Sequence, residues 1–121
     1  MTKSTHNQEY YTRSILQAAG QEPSTYSQVS KLWWWNHTNP SLLRLSKLGI
    51  AFIKKYTQMS VYECELSEPL KSRTLIQLGR LMTCPYYIYK NDHILLLGEE
   101  ETVMLKLHAD NLQQYLDNLQ L

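Results

Sequence analysis

The sequence predicts an α+β fold: a single compact domain with a helical N-terminal half, followed by a small antiparallel sheet with packed helices. Three observations predict it. The chain has 121 residues, enough for one domain and one core. Up to about residue 60 the apolar residues recur at helical spacing. Beyond it, short alternating runs are separated by turn signals and further helical stretches. With 43% hydrophobic and 19% charged residues, the composition argues against global disorder. No apolar run has the length of a membrane span, and residues 1–8 contain no apolar core of a signal peptide. The two cysteines, Cys64 and Cys84, read as intracellular thiols, so a cytoplasmic location is expected.

Residues 1–8 are polar and read as a frayed N-terminus, leaving 9–121 as the domain: a basic half, 9–60, and an acidic half, 61–121. Tyr10, Tyr11, Ile15, Leu16 and Ala19 predict a helix over 9–19, with Gly20 at its C-cap. A second helix over 26–36 is capped by Ser24 or Thr25, and Asn36 to Pro40 form a loop. Leu42 to Leu45 then read as a short strand. Ser46 caps a helix from Lys47 to Tyr56 whose apolar side is Leu48, Ile50, Ala51, Phe52 and Ile53. A single helix from Pro40 onward is the competing reading.

Val61 to Leu66 alternate with period two, placing Tyr62, Cys64 and Leu66 inward on a strand. A helix over 69–82 follows, with Ser67 as its cap, an inner stripe of Leu70, Leu75, Leu78, Leu81 and Met82, and Lys71, Arg73, Gln77 and Arg80 outside. Tyr86 to Lys90 and His93 to Leu97 read as a hairpin turning on Asn91-Asp92. Glu99, Glu100 and Glu101 sit where a helix N-terminus favours acids. Helical spacing continues to Leu119, with a break at Asp110-Asn111 and Asp110 as the second cap. Residues 102–107 as a third hairpin strand remain the alternative.

The net charge of +1 hides an asymmetry. Up to residue 60, Lys3, Arg13, Lys31, Arg44, Lys47, Lys54 and Lys55 face only Glu9 and Glu22, a balance of +5. From residue 61, five cations face nine acids, a balance of −4. Such a split suggests a nucleic-acid surface on the basic side or two halves that attract each other within one fold. Trp33, Trp34 and Trp35 are consecutive, and on a helix they point about 100° apart. They cannot all enter one core stripe, so at least one is expected at an interface or under another element. The alternative is that all three wrap between two layers of a small core.

No enzyme signature is present. Cys and His form no C-x-x-C or H-E-x-x-H, so no metal site is expected, and no cofactor is implied. There is no G-x-S-x-G, and the four glycines do not cluster into a phosphate loop. His93 and His108 have no obvious paired acid and read as structural.

Leu43 to Lys55 resembles the tail of winged-helix domains: an L-x-L strand, a capped [ST]-x-x-G helix, and terminal lysines. That resemblance implies a winged-helix-like N-terminal half with 26–36 as the recognition helix. Cys84 to Tyr89 through Met104 to Leu112 resembles small uncharacterised proteins of tailed phages of marine cyanobacteria, which implies a viral protein in a host cytoplasm.

The functional expectation is a non-enzymatic protein that binds nucleic acid or is associated with transcription. Lys31, Arg44, Lys47, Lys54 and Lys55 would contact phosphates. The alternative is a protein-interaction or assembly module, a homo-oligomer or a viral structural or host-takeover factor. Its interface would be Trp33, Trp34 and Trp35 with Leu112, Tyr115, Leu116 and Leu119. Neither a membrane nor a small-molecule substrate is expected as partner.

Overall fold

The computed structural model describes residues 3–19 and 43–120, with side chains from residue 9 onward in the first helix. The expected helix over 26–36, the Asn36–Pro40 loop and the Gly20 cap lie outside the described residues.

Helix α1 runs over Lys3–Ala19. It begins six residues before the expected start, so residues 3–8 are helical rather than frayed. Neither Gly nor Pro lies between Lys3 and Ala19 to stop the polar turns from propagating out of the anchored part. Ile15 and Thr12 are buried, and Tyr11 and Leu16 pack at the edge of the core. Tyr10, expected on the inner face, is 62% exposed and meets Tyr11 edge-on at 5.2 Å.

Residues 43–45 form the short strand rather than the start of a long helix. The Tyr86 amide donates to the Leu43 carbonyl at 3.0 Å, and the Leu45 amide donates to the Tyr86 carbonyl at 2.6 Å, a parallel bridge through Arg44. Ser46 then caps helix α2, Lys47–Tyr56, its Oγ accepting from the Gly49 amide at 2.9 Å. Gly49, Ile50 and Ile53 are buried, whereas Leu48 and Ala51 face solvent, contrary to the expected apolar side. Thr57 closes the helix by donating its hydroxyl to the Ile53 carbonyl at 2.8 Å.

The sheet has three antiparallel strands, β1 Tyr62–Glu65, β2 Tyr86–Tyr89 and β3 His93–Leu96, in the order β1-β3-β2. The register sets Cys64 opposite Ile94 and Ile88 opposite Ile94, so Cys64, Ile88, Ile94, Tyr86 and Leu96 share the inner face. Tyr89 pairs with His93, which leaves three residues in the hairpin loop. The left-handed positions are Lys90 (φ 56°) and Asn91 (φ 60°), not Asn91 and Asp92. The loop carbonyls are used by the segment after β1: Leu66 donates to Asp92 at 2.7 Å and Leu70 to Asn91 at 2.5 Å.

That attachment holds residues 66–70 out of the next helix. Helix α3 is Ser72–Leu81, with Lys71 at its N-cap and no side-chain cap. Ser67 is not the cap, because its hydroxyl donates to Asp110 Oδ1 instead. Leu70, Leu78 and Met82 are buried as expected, and Leu75 and Leu81 pack at the core edge. Gln77, expected outside, is buried together with Thr74.

Helix α4, Glu99–Leu107, begins with its three acids and packs across β1 and β3, so residues 102–107 are helix rather than strand. Helix α5, Leu112–Asn118, packs on α3 and has Asn111, not Asp110, at its N-cap. Thr74, Gln77 and Gln113 form a hydrogen-bonded seam there that converges on Asp117. Gln77 Nε2 lies 2.9 Å and Gln113 Nε2 3.0 Å from Asp117 Oδ1, and Arg73 donates to the same oxygen at 2.7 Å. The partners of Thr74 and Gln77 arrive from 36 to 40 residues away and explain the burial of both side chains.

The fold is α+β and single-domain. Its core draws on both charge halves: Ile15, Leu43, Leu45 and Ile53 from the basic one, and Leu78, Met82, Tyr86, Ile94, Leu96, Leu105 and Leu116 from the acidic one, all under 2% exposed. Among the described residues no helix is long and apolar enough to cross a membrane.

Candidate functional site

Helix α2 carries the basic side chains that the structure brings together. Its inner face is fixed by Ile50 and Ile53, which leaves Lys47, Ala51, Lys54, Lys55 and Leu48 on one solvent-facing arc of roughly 120°. Lys47 and Lys54 are two turns apart, and Lys55 stands beside Lys54. The helix contains no acidic residue. Among the described residues, no carboxylate forms an ion pair with any of the three lysines. Lys55 Nζ lies 5.1 Å from the centre of the Tyr56 ring, a weak cation–π contact that leaves the charge available. Lys54 and Lys55 also sit in the last turn, where the helix dipole favours cations.

Arg44 does not join this stripe. It is half-buried in the strand bridged to Tyr86, and burial pulls its guanidinium below the ordinary arginine value, with Tyr86 and Tyr87 opposing. Lys31 and the tryptophans Trp33, Trp34 and Trp35 lie outside the described residues.

The expected C-terminal interface is largely internal. Leu112 and Leu116 are core residues, at 6% and 0% exposure, because α5 uses them to cover α3. Tyr115 is half-buried and stacks on His108 at 3.7 Å and 10°. Leu119 remains exposed. Among the described residues, the most exposed large aliphatic side chains are Leu48 and, one turn apart on α4, Val103 and Leu107.

Neither cysteine is placed for chemistry. Both are buried, and burial raises both thiols. Cys84 is pushed up to about 12, first by burial and then by the charge and hydrogen bond of Glu101. Glu101 in turn accepts from the Thr83 hydroxyl. Tyr11 is raised by its own burial and by the nearby Cys84 and Glu101.

His93 has acid neighbours that sequence reasoning missed. Its Nδ1 is 2.5 Å from Asp92 Oδ1, its Nε2 is 3.8 Å from Glu65 Oε1, and its ring lies 4.8 Å from that of Tyr89. The Tyr89 hydroxyl donates to Glu63, and that bond pushes the phenol up to about 12. These groups stand on the outer face of the sheet rather than in a cleft. One described cleft lies between Leu66–Lys71 and Ala109–Gln113, and another between Tyr11 and Tyr62; neither His93 nor His108 lines either of them. Asp92 is the sequence neighbour of His93, whereas Glu63 and Glu65 reach the cluster only through the pairing of β1 with β3, which no local pattern announces. Among the described residues no three His, Cys, Asp or Glu side chains are placed to hold a metal ion.

No protein-family profile matches the chain, and no curated protein or solved structure is similar enough to assign it a family.

Proposed function

We propose that this is a small, non-enzymatic, cytoplasmic protein that binds nucleic acid, in association with transcription, through the phosphate backbone. The observation that carries the reading is the lysine face of α2: Lys47, Lys54 and Lys55 on one arc, without acids on the helix and without ion-pair partners among the described residues. Ammonium groups on a rigid helix neutralise phosphates without reading bases, so the expected binding has little sequence preference. The exposed carboxylates of the sheet repel phosphates and confine the nucleic acid to the lysine side.

The test is fluorescence anisotropy with a labelled duplex at about 50 mM salt and upward. Three phosphate contacts from α2 give a slope of log K against log salt of about −2.7, and Lys54→Glu with Lys55→Glu removes about two thirds of it. Absence of binding at low salt, or equal binding by the double variant, would sink the idea. In that case a protein-interaction role gains. It is favoured by the exposed Leu48, Val103 and Leu107, at 79%, 53% and 75%.

A further inference from the structure

The outer face of the sheet has no place in the proposed nucleic-acid contact, and its chemistry is of the opposite kind. The register lines it up in two rows: Glu63, Leu95 and Tyr87 in one, Glu65, His93 and Tyr89 in the other. Leu95 is buried beneath this layer, while both glutamates are exposed and both tyrosines and His93 are half-exposed. The rings form a continuous ladder. Tyr87 stacks on Tyr89 at 6.1 Å and 13°, and Tyr89 leans on His93 at 4.8 Å. The ladder is also held in place: the Tyr89 hydroxyl is bonded to Glu63, and His93 is fixed between Asp92 and Glu65. The result is a pre-ordered row of aromatic surface flanked by three carboxylates, with the His93 imidazole set among them.

We propose that this face docks an arginine-bearing segment of a partner protein. A guanidinium group is flat, so it can lie on a tyrosine ring while its edge donates two parallel hydrogen bonds to a carboxylate. Glu65 has the freer carboxylate of the two glutamates, 73% exposed and 3.8 Å from its imidazole neighbour. A nucleic-acid strand would meet the same rings but also three negative charges, which opposes its phosphates. A lysine segment would gain the charge attraction without the planar stacking. The whole chain carries +1, so attraction of a cationic peptide has to come from a local field such as this one.

The full-length protein is titrated against fluorescein-labelled nona-arginine, with nona-lysine as the matched probe, at about 50 mM salt. The expectation is saturable binding of nona-arginine, at least about fivefold tighter than nona-lysine. Glu63→Gln with Glu65→Gln is expected to weaken it about tenfold or more. Glu99→Gln with Glu100→Gln removes the same charge from the exposed start of α4 and is expected to leave binding within about twofold of wild type. The proposal is overturned if nona-arginine does not bind, if nona-lysine binds as tightly, or if the α4 pair costs as much as the sheet pair. Circular dichroism and melting establish that each variant is folded. Should the double variant unfold, Glu65→Gln alone decides the matter, because its carboxylate is exposed and makes only one long contact. These outcomes are independent of the duplex-binding test, which reads the lysines of α2.

Discussion

Gly98, the residue before α4, is enclosed in a way that makes its replacement informative. A methyl group added there would come within 2.6 Å of Glu101 Oε1 and 2.8 Å of Cys84 Sγ. The backbone itself is ordinary at this position, with φ −102°, so the cost of Gly98→Ala is steric rather than conformational. The two neighbours respond differently. Glu101 can swing aside, but its carboxylate accepts from the Thr83 hydroxyl, and breaking a hydrogen bond to a charged group costs roughly 1.5–3 kcal/mol. Cys84 is completely buried and must retreat by several tenths of an ångström into packed surroundings, an overpacking cost of about 1–3 kcal/mol. Partial relief of one contact eases the other, so the expected loss is about 2–4 kcal/mol rather than the full sum. Urea unfolding reads this directly. At a slope of roughly 1.5 kcal/mol per molar, the midpoint falls by about 1.3–2.7 M. Cys84→Ala in the same background should recover about 1 kcal/mol or more, since it removes the sulfur. A Gly98→Ala protein within about 0.5 kcal/mol of wild type, or strict additivity with Cys84→Ala, would refute the reasoning.

Three further outcomes are expected. Leu116→Ala should destabilise by about 2–5 kcal/mol in a denaturant titration without altering oligomeric state, because this side chain is in the core and not at an interface. Asp117 is held below its ordinary value of 3.8, first by the hydrogen bond from Gln77 and then by Gln113 and Arg73, with burial opposing. A carboxylate with a depressed folded value contributes stability above the unfolded value and loses it as pH falls through the folded one. Acidification below about pH 4 should therefore destabilise wild type more steeply than Asp117→Asn in parallel melts. Lys90→Gly should raise stability by about 0.5–1 kcal/mol, read by thermal melting, because Lys90 holds a left-handed conformation that glycine adopts without its side chain's steric cost.

What could be read in advance was local. Ser46 and Gly49 are three residues apart, so the cap of α2 and its terminal lysines were written in one stretch of sequence. The parity of β1 and the acids at the start of α4 were legible for the same reason. Failures came where a distant residue decided. Ser67 looks like a cap until Asp110, 43 residues later, takes its hydroxyl. Gln77 looks like a surface residue until α5 supplies Gln113 and Asp117. Leu112 and Leu116 form the same apolar stripe whether their own fold or another molecule covers them, so spacing alone could not tell core from interface. The lysines of α2 were foreseeable as a group. The ladder of Tyr87, Tyr89 and His93 beside Glu63 and Glu65 was not, because it exists only once β3 lies between the other two strands.

That strand order also fixes a sequence of events during synthesis. The central strand is the last of the three to be made, and the partners of β1 lie 28 to 34 residues further along, from Glu65 with His93 to Tyr62 with Leu96. A nascent chain therefore carries β1 with both edges open while everything through α3 and β2 is still being added. The glutamates at positions 63 and 65 place negative charge on the strand during that interval, the kind of residue that discourages pairing with a neighbouring chain.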